Sequence, residues 1–305
     1  MTEADDRRIG LVANPRAAAG GSAAALRTLA ADLRSHGLRV VDLSAGTAGA
    51  ALARAEHAVR EGSIDVLAVA GGDGMAHLGV NACAGTDIPL AIIALGTGND
   101  IAAGLGLPIR DQAASLAMIA AGRTRRIDAG RVADVGHRSW FAGTLYAGFD
   151  AVVNARANTW SWPRGQARYN LAVLRELPFF APIPYVVTVD ETRVETEAML
   201  VIIANAPSYG GGMRVTPSAL MDDGRLDVLI LERVGRAEFL RVFPRVFAGT
   251  HVDHPAVRIL SGCSIRLEAS GIRSYADGEP FHPVPLTAQV VPRALRVVVP
   301  EPGAP

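Results

Sequence analysis

The stretch Ile64-Asp65-Val66-Leu67-Ala68-Val69-Ala70-Gly71-Gly72-Asp73-Gly74-Met75 decides the fold. Ile64 to Ala70 reads as a buried strand, and from Met75 to Cys83 apolar residues recur at helical spacing. The glycines therefore occupy a strand-to-helix turn. Glycines let the backbone approach an anion and aim several amide N–H groups at it, while the helix that follows presents its positive end. The same turn is compatible with a plainer role in which Asp73 caps the helix. The neighbouring segments decide between the two.

Working outward toward the N-terminus, Ile9 to Ala13 is a short apolar run ending at Asn14-Pro15, and Gly20-Gly21 precede a helix that Ser22 can cap and that runs to His36. Leu38 to Leu43 reads as a second strand and Ala50 to Arg60 as a second helix. In the other direction, Leu90 to Leu95 is a fourth buried strand that breaks at Gly96-Thr97-Gly98-Asn99-Asp100 and enters another helical stretch. Strands alternating with helices predict a parallel, helix-covered sheet with its ligand site beyond the strand C-termini. Three glycine-rich turns, after the first, third and fourth strands, then share one edge of that sheet, which favours a nucleotide site over three unrelated caps.

Composition narrows the chemistry. The chain has 305 residues, enough for two cores, and a formal net charge of +0, which argues against a nucleic-acid binder working through a global positive field. No apolar run approaches the roughly 20 residues needed to span a bilayer. The segment Met1 to Asp6 is polar and acidic, unlike a signal peptide, so a soluble cytoplasmic protein is expected. Cys83 and Cys263 belong to no ligand cluster and read as free thiols. Lysine is absent, so a Schiff-base lysine, a P-loop lysine and the lysine of a protein-kinase site are all excluded. A phosphate clamp here must use backbone amides, arginine or a metal ion.

A helix from Asp111 to Ala121 leads to Arg123-Thr124-Arg125-Arg126-Ile127-Asp128, after which the texture changes. β-rich segments at 139–145, 185–189, 198–204, 226–231, 264–267 and 287–291, interrupted by helical stretches at 167–177 and 236–247, predict a mainly antiparallel β domain. The boundary is expected near residue 130, giving domains 1–130 and 131–292.

Five ordered motifs resemble those of the diacylglycerol kinase catalytic family, which includes bacterial lipid kinases and sphingosine kinases. They are Gly71-Gly72-Asp73-Gly74, Leu95 to Asp100, Gly148-Phe149-Asp150-Ala151, Asp222 to Asp227, and Asp277-Gly278-Glu279. The resemblance implies a Rossmann-like α/β nucleotide domain and an antiparallel β-sandwich domain with the active site in the cleft between them, and segment 293–305 packing back on the first domain. It implies ATP-dependent phosphorylation of a lipid hydroxyl, most simply diacylglycerol to phosphatidic acid, with Mg²⁺. ATP would be held by Asn14, Pro15, Gly71, Gly72, Asp73, Gly74, Met75, Asn81, Gly96, Thr97, Gly98 and Asn99, with Ser44 a further candidate. Asp73, Asp100 and Asp128 would hold the catalytic Mg²⁺. A second, structural Mg²⁺ would bind the Asp223 carboxylate and the backbone carbonyls near Leu220 and Arg225. Glu279, with Asp277 beside it, falls where the family places the base. Met75 departs from the family, which usually has threonine there.

The residues suit the chemistry. Phosphoryl transfer needs positioning, charge neutralisation and a group to take the acceptor's proton. Mg²⁺ takes oxygen ligands such as carboxylates. Taken singly, Asp100 is also compatible with a helix cap, Glu279 with an exposed turn acid and Asp222-Asp223-Gly224 with an ordinary β-turn. Trp160-Ser161-Trp162-Pro163-Arg164 and Pro178-Phe179-Phe180-Ala181-Pro182 have the composition of a membrane interface, core packing being the alternative. Weak, transient binding at the inner membrane face, where the lipid substrate is presented, is the corresponding expectation. The sequence allows a homodimer without arguing for one. Two alternatives remain at this point: an NAD- or sugar-type kinase for a soluble acceptor, and a non-catalytic nucleotide- or lipid-binding regulatory protein.

Overall fold

The computed structural model describes residues 6–13, 23–132, 139–160, 162–163 and 166–301. The chain divides into two compact units, residues 1–127 with 293–305 and residues 128–292.

The first unit runs β1 (Arg8–Ala13), α1 (Ala23–Ser35), β2 (Arg39–Asp42), α2 (Ala48–Arg60), β3 (Val66–Gly71), α3 (Asp73–Cys83), β4 (Leu90–Ala94), α4 (Asp100–Gly104) and α5 (Gln112–Ala121). β5 (Thr124–Val132) then carries the chain out of this unit. β2, β1, β3 and β4 lie side by side in that order and are all parallel. β3 and β4 are buried at every residue, which is why they read as unbroken apolar runs. The strand order turns around between β1 and β3, so the crevice past their C-terminal ends is where a ligand is expected to sit.

The second unit runs β6 (Trp140–Phe141), β7 (Thr144–Gly148), α6 (Phe149–Asn158), α7 (Gln166–Glu176), β8 (Ile183–Val189), β9 (Thr192–Ala204), β10 (Leu226–Glu232), α8 (Arg236–Val242) and α9 (Arg245–Ala248). It continues through β11 (Val257–Gly262), β12 (Ser264–Glu268), β13 (Arg273–Ala276) and β14 (Glu279–Pro283). β15 (Leu286–Val298) takes the chain back to the first unit, where Val297 pairs in parallel with Leu90 of β4. One antiparallel sheet has the order β14-β13-β7-β9-β10-β11, and the N-terminal half of β9 leads into a second, β9-β8-β12-β15.

Alternation along the strands sorts the core into two layers. Leu145 and Ala147, Val201 and Ile203, and Val228 and Ile230 pack with Val187, Ile265 and Leu267 inside the sandwich. Tyr146, Leu200, Ile202 and Leu229 face the opposite way, onto Phe149, Val153, Val173 and Phe239 of the helices. This is a β-sandwich with helices on one outer face.

Two segments differ from the sequence expectation for identifiable reasons. The single strand expected at 139–145 is broken into β6 and β7 because the amides between them bind a carboxylate described below. The helix expected at 236–247 is split into α8, capped by Phe243, and α9, preceded by Pro244, which has no N–H to continue the first helix.

Candidate active site

In the first unit the two glycine turns meet at van der Waals distance. A Cβ on Gly96 would lie 2.3 Å from the Gly72 Cα, so only glycine allows this approach. The Gly71 carbonyl accepts from the N–H groups of Leu95 and Gly96 at 2.9 and 3.2 Å. Asp73 opens α3, and its carboxylate accepts from the amides of Asn99 (2.8 Å) and Asp100 (2.6 Å), the start of α4. Asp73 is thus a fastener between two helix N-termini. Asn99 stands in the left-handed region at φ 62° and brackets Gly96, its Oδ1 accepting from the Gly96 N–H and its Nδ2 donating to the Gly96 carbonyl, both at 2.9 Å. A Cβ on Gly98 would lie 2.5 Å from Asp73 Oδ2 and 3.4 Å from Asp100 Oδ2, so two carboxylates approach one point beside a bare backbone.

Arg110 completes this loop, and nothing in the sequence pattern singles it out. Ile109 bridges in parallel to Ala94 at the end of β4, which brings Arg110 back over the glycine turn. Its Nε donates to the Gly96 carbonyl and its Nη2 to that of Thr97, both at 3.2 Å. A fixed positive charge therefore stands at the glycine loop of a chain without lysine. Ser44 Oγ accepts from the Ala13 N–H at 3.1 Å, tying the end of β1 to the segment after β2. Asn81 donates to the His77 carbonyl one turn earlier in α3. Met75 is buried, its side chain part of the core under α3. Asn14 and Pro15 lie outside the described residues.

In the second unit Asp277-Gly278 is a two-residue hairpin turn with positive φ at both positions, 50° and 90°. Asp-Gly suits this turn, whose twist matches that of the flanking strands. The Asp277 carboxylate is buried and accepts from the amides of Ala142 (3.2 Å), Gly143 (2.9 Å) and Thr144 (3.1 Å). The Asp277 N–H donates in return to the Thr144 carbonyl at 2.9 Å. Glu279, next along, is exposed.

Helix α6 touches both this turn and an apolar pocket. Asn154 Nδ2 donates to the Gly278 carbonyl (2.9 Å) and to Tyr146 Oη (3.0 Å). One turn earlier Asp150 is buried and accepts from Tyr169 Oη at 3.1 Å and from Tyr209 Oη. Burial pushes the Asp150 carboxyl up to about 6, against the opposing pull of the two tyrosine hydrogen bonds. Burial, followed by the Asp150 charge, also pushes the Tyr169 and Tyr209 phenols well up, which keeps them as donors. Asp150 and Tyr209 form part of the wall of a pocket of about 50 Å³, together with His251, His254 and a mainly apolar remainder that includes Leu200, Ile202, Leu229 and Phe239. Val234 lines both this pocket and an open groove of about 610 Å³ that includes Phe180, Pro182, Met199, Arg233 and Arg236.

The comparisons with known proteins agree across the chain. Residues 8–132 match the diacylglycerol kinase catalytic domain, and residues 143–299 match the YegS C-terminal NAD kinase beta sandwich-like domain. A diacylglycerol kinase of Mycobacterium tuberculosis is 37% identical over 298 residues, covering 97% of this chain and 96% of that protein. The chain belongs to the diacylglycerol kinase family. It is a lipid kinase of this type. A diacylglycerol kinase of Bacillus subtilis is 28% identical over 253 residues, covering 81% of this chain and 82% of the relative. Among solved structures, a diacylglycerol kinase from Bacillus anthracis shares the fold with a TM-score of 0.71 at 19% identity, over 97% of this chain and 98% of that one. An NAD kinase from Archaeoglobus fulgidus, solved with ATP, shares it more distantly, with a TM-score of 0.55 at 11% identity over 96% and 94%. Membership of a kinase family implies a nucleoside triphosphate as the phosphoryl donor.

Several of the lipid kinase's expected site residues come together within the first unit. Gly71, Gly72, Asp73, Gly96, Gly98, Asn99 and Asp100 form one cluster. Asp128 is a residue of the second unit, where its Oδ2 accepts from the Gly224 N–H at 2.6 Å and its own N–H donates to the Met221 carbonyl at 2.7 Å. It caps the 221–224 turn. Among the described residues no three His, Cys, Asp or Glu side chains converge as a metal site. Within the first unit, Asp73 and Asp100 are the acids beside the glycine loop. Asp223 Oδ1 accepts from the Arg225 N–H at 3.0 Å, Leu220 is exposed, and the Arg225 guanidinium is engaged by Ser261. The chain's own groups close that turn.

The aromatics divide between the two fates. Trp160 and Phe180 pack on the helical layer of the core, whereas Trp162 and Phe179 are 80% and 75% exposed. Leu171 and Leu174 on α7 are exposed as well, and the Arg175 guanidinium lies 5.7 Å from the centre of the Phe179 ring. No described helix is long and apolar enough to cross a membrane.

Proposed function

We propose that this kinase transfers the γ-phosphoryl group of ATP to the hydroxyl of a membrane lipid alcohol, diacylglycerol being the simplest acceptor and phosphatidic acid the product. The observation that carries the lipid reading is the double attachment of α6. It places Asp150 in the wall of an apolar pocket and, four residues on and hence on the same helix face, Asn154 against the turn that presents Glu279. An apolar tail in the pocket and groove would leave its polar end on the side of an exposed carboxylate.

In this reading ATP phosphates lie against the bare backbone at Gly71–Gly74 and Gly96–Gly98, at the positive end of α3 and beside Arg110. The close approach of Gly72 and Gly96 leaves that backbone free of any Cβ, as anion binding requires. Asp73 and Asp100 offer the two carboxylates that Mg²⁺ commonly takes alongside substrate phosphates and water. When bound, the ion neutralises phosphate charge. A second ion at Asp223 and the carbonyls near Leu220 and Arg225 would brace a turn already closed by hydrogen bonds. Glu279 accepts the proton of the lipid hydroxyl as that oxygen bonds to the γ-phosphorus, and the bond from phosphorus to the ADP oxygen breaks. The Asp277 carboxylate already accepts three amide hydrogens, so Glu279 is the base of the pair and Asp277 its support.

Trp162, Phe179, Leu171 and Leu174 would rest on the membrane, with Arg175 nearby for lipid phosphates. Sedimentation with anionic vesicles at low salt should carry down part of the protein, and the Phe179→Ser/Trp162→Ser protein should stay in the supernatant. No association of the unaltered protein, even with substrate lipid and ATP present, sinks the membrane reading. Distant fold likeness to an NAD kinase supports a soluble acceptor as the second reading. Offering the enzyme NAD, sugar phosphates and dispersed diacylglycerol side by side separates them, since label appearing in a soluble product rejects the lipid assignment.

A further inference from the structure

We propose that Asn154 is a positioning residue for the base, holding the peptide that orients Glu279 and tying it to the helix that walls the apolar pocket. This rests on the reading of Glu279 as the base. The Gly278 carbonyl belongs to the same peptide plane as the Glu279 N–H, so a hydrogen bond to that oxygen fixes the backbone on the N-terminal side of Glu279. Glu279 opens β14 and pairs with Ala276 across the turn, and the Asn154 bond adds a hold from outside the hairpin. Asp277, the first central residue, is anchored to the 142–144 segment at the start of β7 through three amides and a return bond. The peptide between Gly278 and Glu279 lies beyond that anchor, and Gly278, with no side chain, does nothing to stiffen it.

The identity of the side chain matters. A carbonyl oxygen only accepts, so the amide group of Asn154 must turn its NH₂ toward Gly278. The NH₂ has two hydrogens, and Gly278 O and Tyr146 Oη take one each. Tyr146 is held in turn: its ring stacks on Tyr275 of β13 with centroids 5.9 Å apart, and lies 5.2 Å from the ring of Tyr209, the donor to Asp150. Asn154 thus sits where the pocket wall, the tyrosine layer and the turn of the base meet. Aspartate at this position has the same shape but no donor for Gly278, and would set a negative charge against a carbonyl oxygen.

The test compares Asn154→Ala, Asn154→Asp and Glu279→Gln, and the double variants with Glu279→Gln, using ATP, Mg²⁺ and diacylglycerol in mixed micelles. Both single Asn154 variants should lower kcat roughly 10- to 100-fold, the size of effect expected when a reacting group is misplaced by about 1 Å. The KM for ATP should stay unchanged, and the acid limb of the kcat–pH profile should move. Each double variant should be no slower than Glu279→Gln alone, because a residue acting only through the base has nothing further to lose. Thermal unfolding identifies variants that fail to fold, and the isosteric aspartate guards against that outcome for alanine. If folded Asn154 variants keep kcat within about twofold of the unaltered enzyme, or if the losses multiply in the double variants, the inference is overturned while the base assignment stands. A Glu279→Gln enzyme with unaltered turnover overturns the base assignment, and the inference with it.

Discussion

Asp73 and Asp277 solve the same local problem in different units. Each is an aspartate beside glycine at the end of a strand, and each spends its carboxylate on backbone amides distant in sequence, 99 and 100 for one and 142 to 144 for the other. The difference lies in what stands next to them. The Asp73 carboxylate approaches that of Asp100 beside bare backbone at Gly98, so two acids face one point of the glycine loop. Asp277 is buried, takes three amides and stands next to an exposed glutamate. Under the proposed function the first acid would be both fastener and ligand, and the second a fastener that leaves the chemistry to its neighbour.

This comparison can be broken most directly at Asp73. Asp73→Ala should reduce turnover on the order of 10³-fold, by removing charge stabilisation together with the loop's fastener; steady-state rates approaching those of the unaltered enzyme would show that the loop needs neither. Glu279→Gln comes next. It should lower kcat by about 10²–10⁴-fold while ATP affinity, measured by titration calorimetry, is kept. Asp277→Ala should act mainly on stability, costing about 3 kcal/mol because buried amides lose their acceptor. Denaturant midpoints check this, and an Asp277→Ala protein of normal stability but no turnover would place Asp277 in the chemistry after all.

Asp150 sharpens the contrast from another side. Its carboxyl is raised from 3.8 to about 6, so the folded state holds this proton more tightly than the unfolded chain. Its contribution to stability is complete below the unfolded value, is lost as pH rises between about 4 and about 6, and amounts to about 3 kcal/mol across that window. Asp150→Asn, which cannot titrate, should lack that fall, so the stability difference between the two proteins should change with pH over this range and be level above it. A difference that is constant from pH 4 to 7 would mean the buried acid titrates normally. The smallest effect is expected at the exposed Arg110: Arg110→Ala should raise the KM for ATP roughly 3- to 10-fold, and lysine should rescue it poorly, since a lysine cannot fork across the carbonyls of Gly96 and Thr97.

The first unit's pattern was legible because buried parallel strands are unbroken apolar runs, and glycine marks where they stop. The sandwich strands β8, β9, β10 and β12 were also visible, though their ends were not. β13 and β14 escaped because they are short, and β14, with Pro280 and Pro283, does not read as a strand. Helix α6 follows β7 without a linker, and its mixed face, with Asp150 buried among apolar residues, hides the period. The site was legible as glycines and acids and illegible as geometry. Asn154 and Arg110 bind backbone carbonyls 124 and 13 to 14 positions away, partners that carry no side-chain signal in a sequence. Asp128 likewise has a partner the sequence does not announce, the Gly224 amide 96 positions away.

The central claim is transfer of phosphate from ATP to a lipid hydroxyl with Glu279 as the base. The most direct measurement incubates the purified enzyme and its Glu279→Gln variant with γ-labelled ATP, Mg²⁺ and a panel of lipid and soluble alcohols, and separates the labelled products. The account predicts label in the phosphorylated lipid, phosphatidic acid when diacylglycerol is offered, and its near-disappearance in the variant. Label in a soluble product, or equal labelling of the lipid by both proteins, would contradict it.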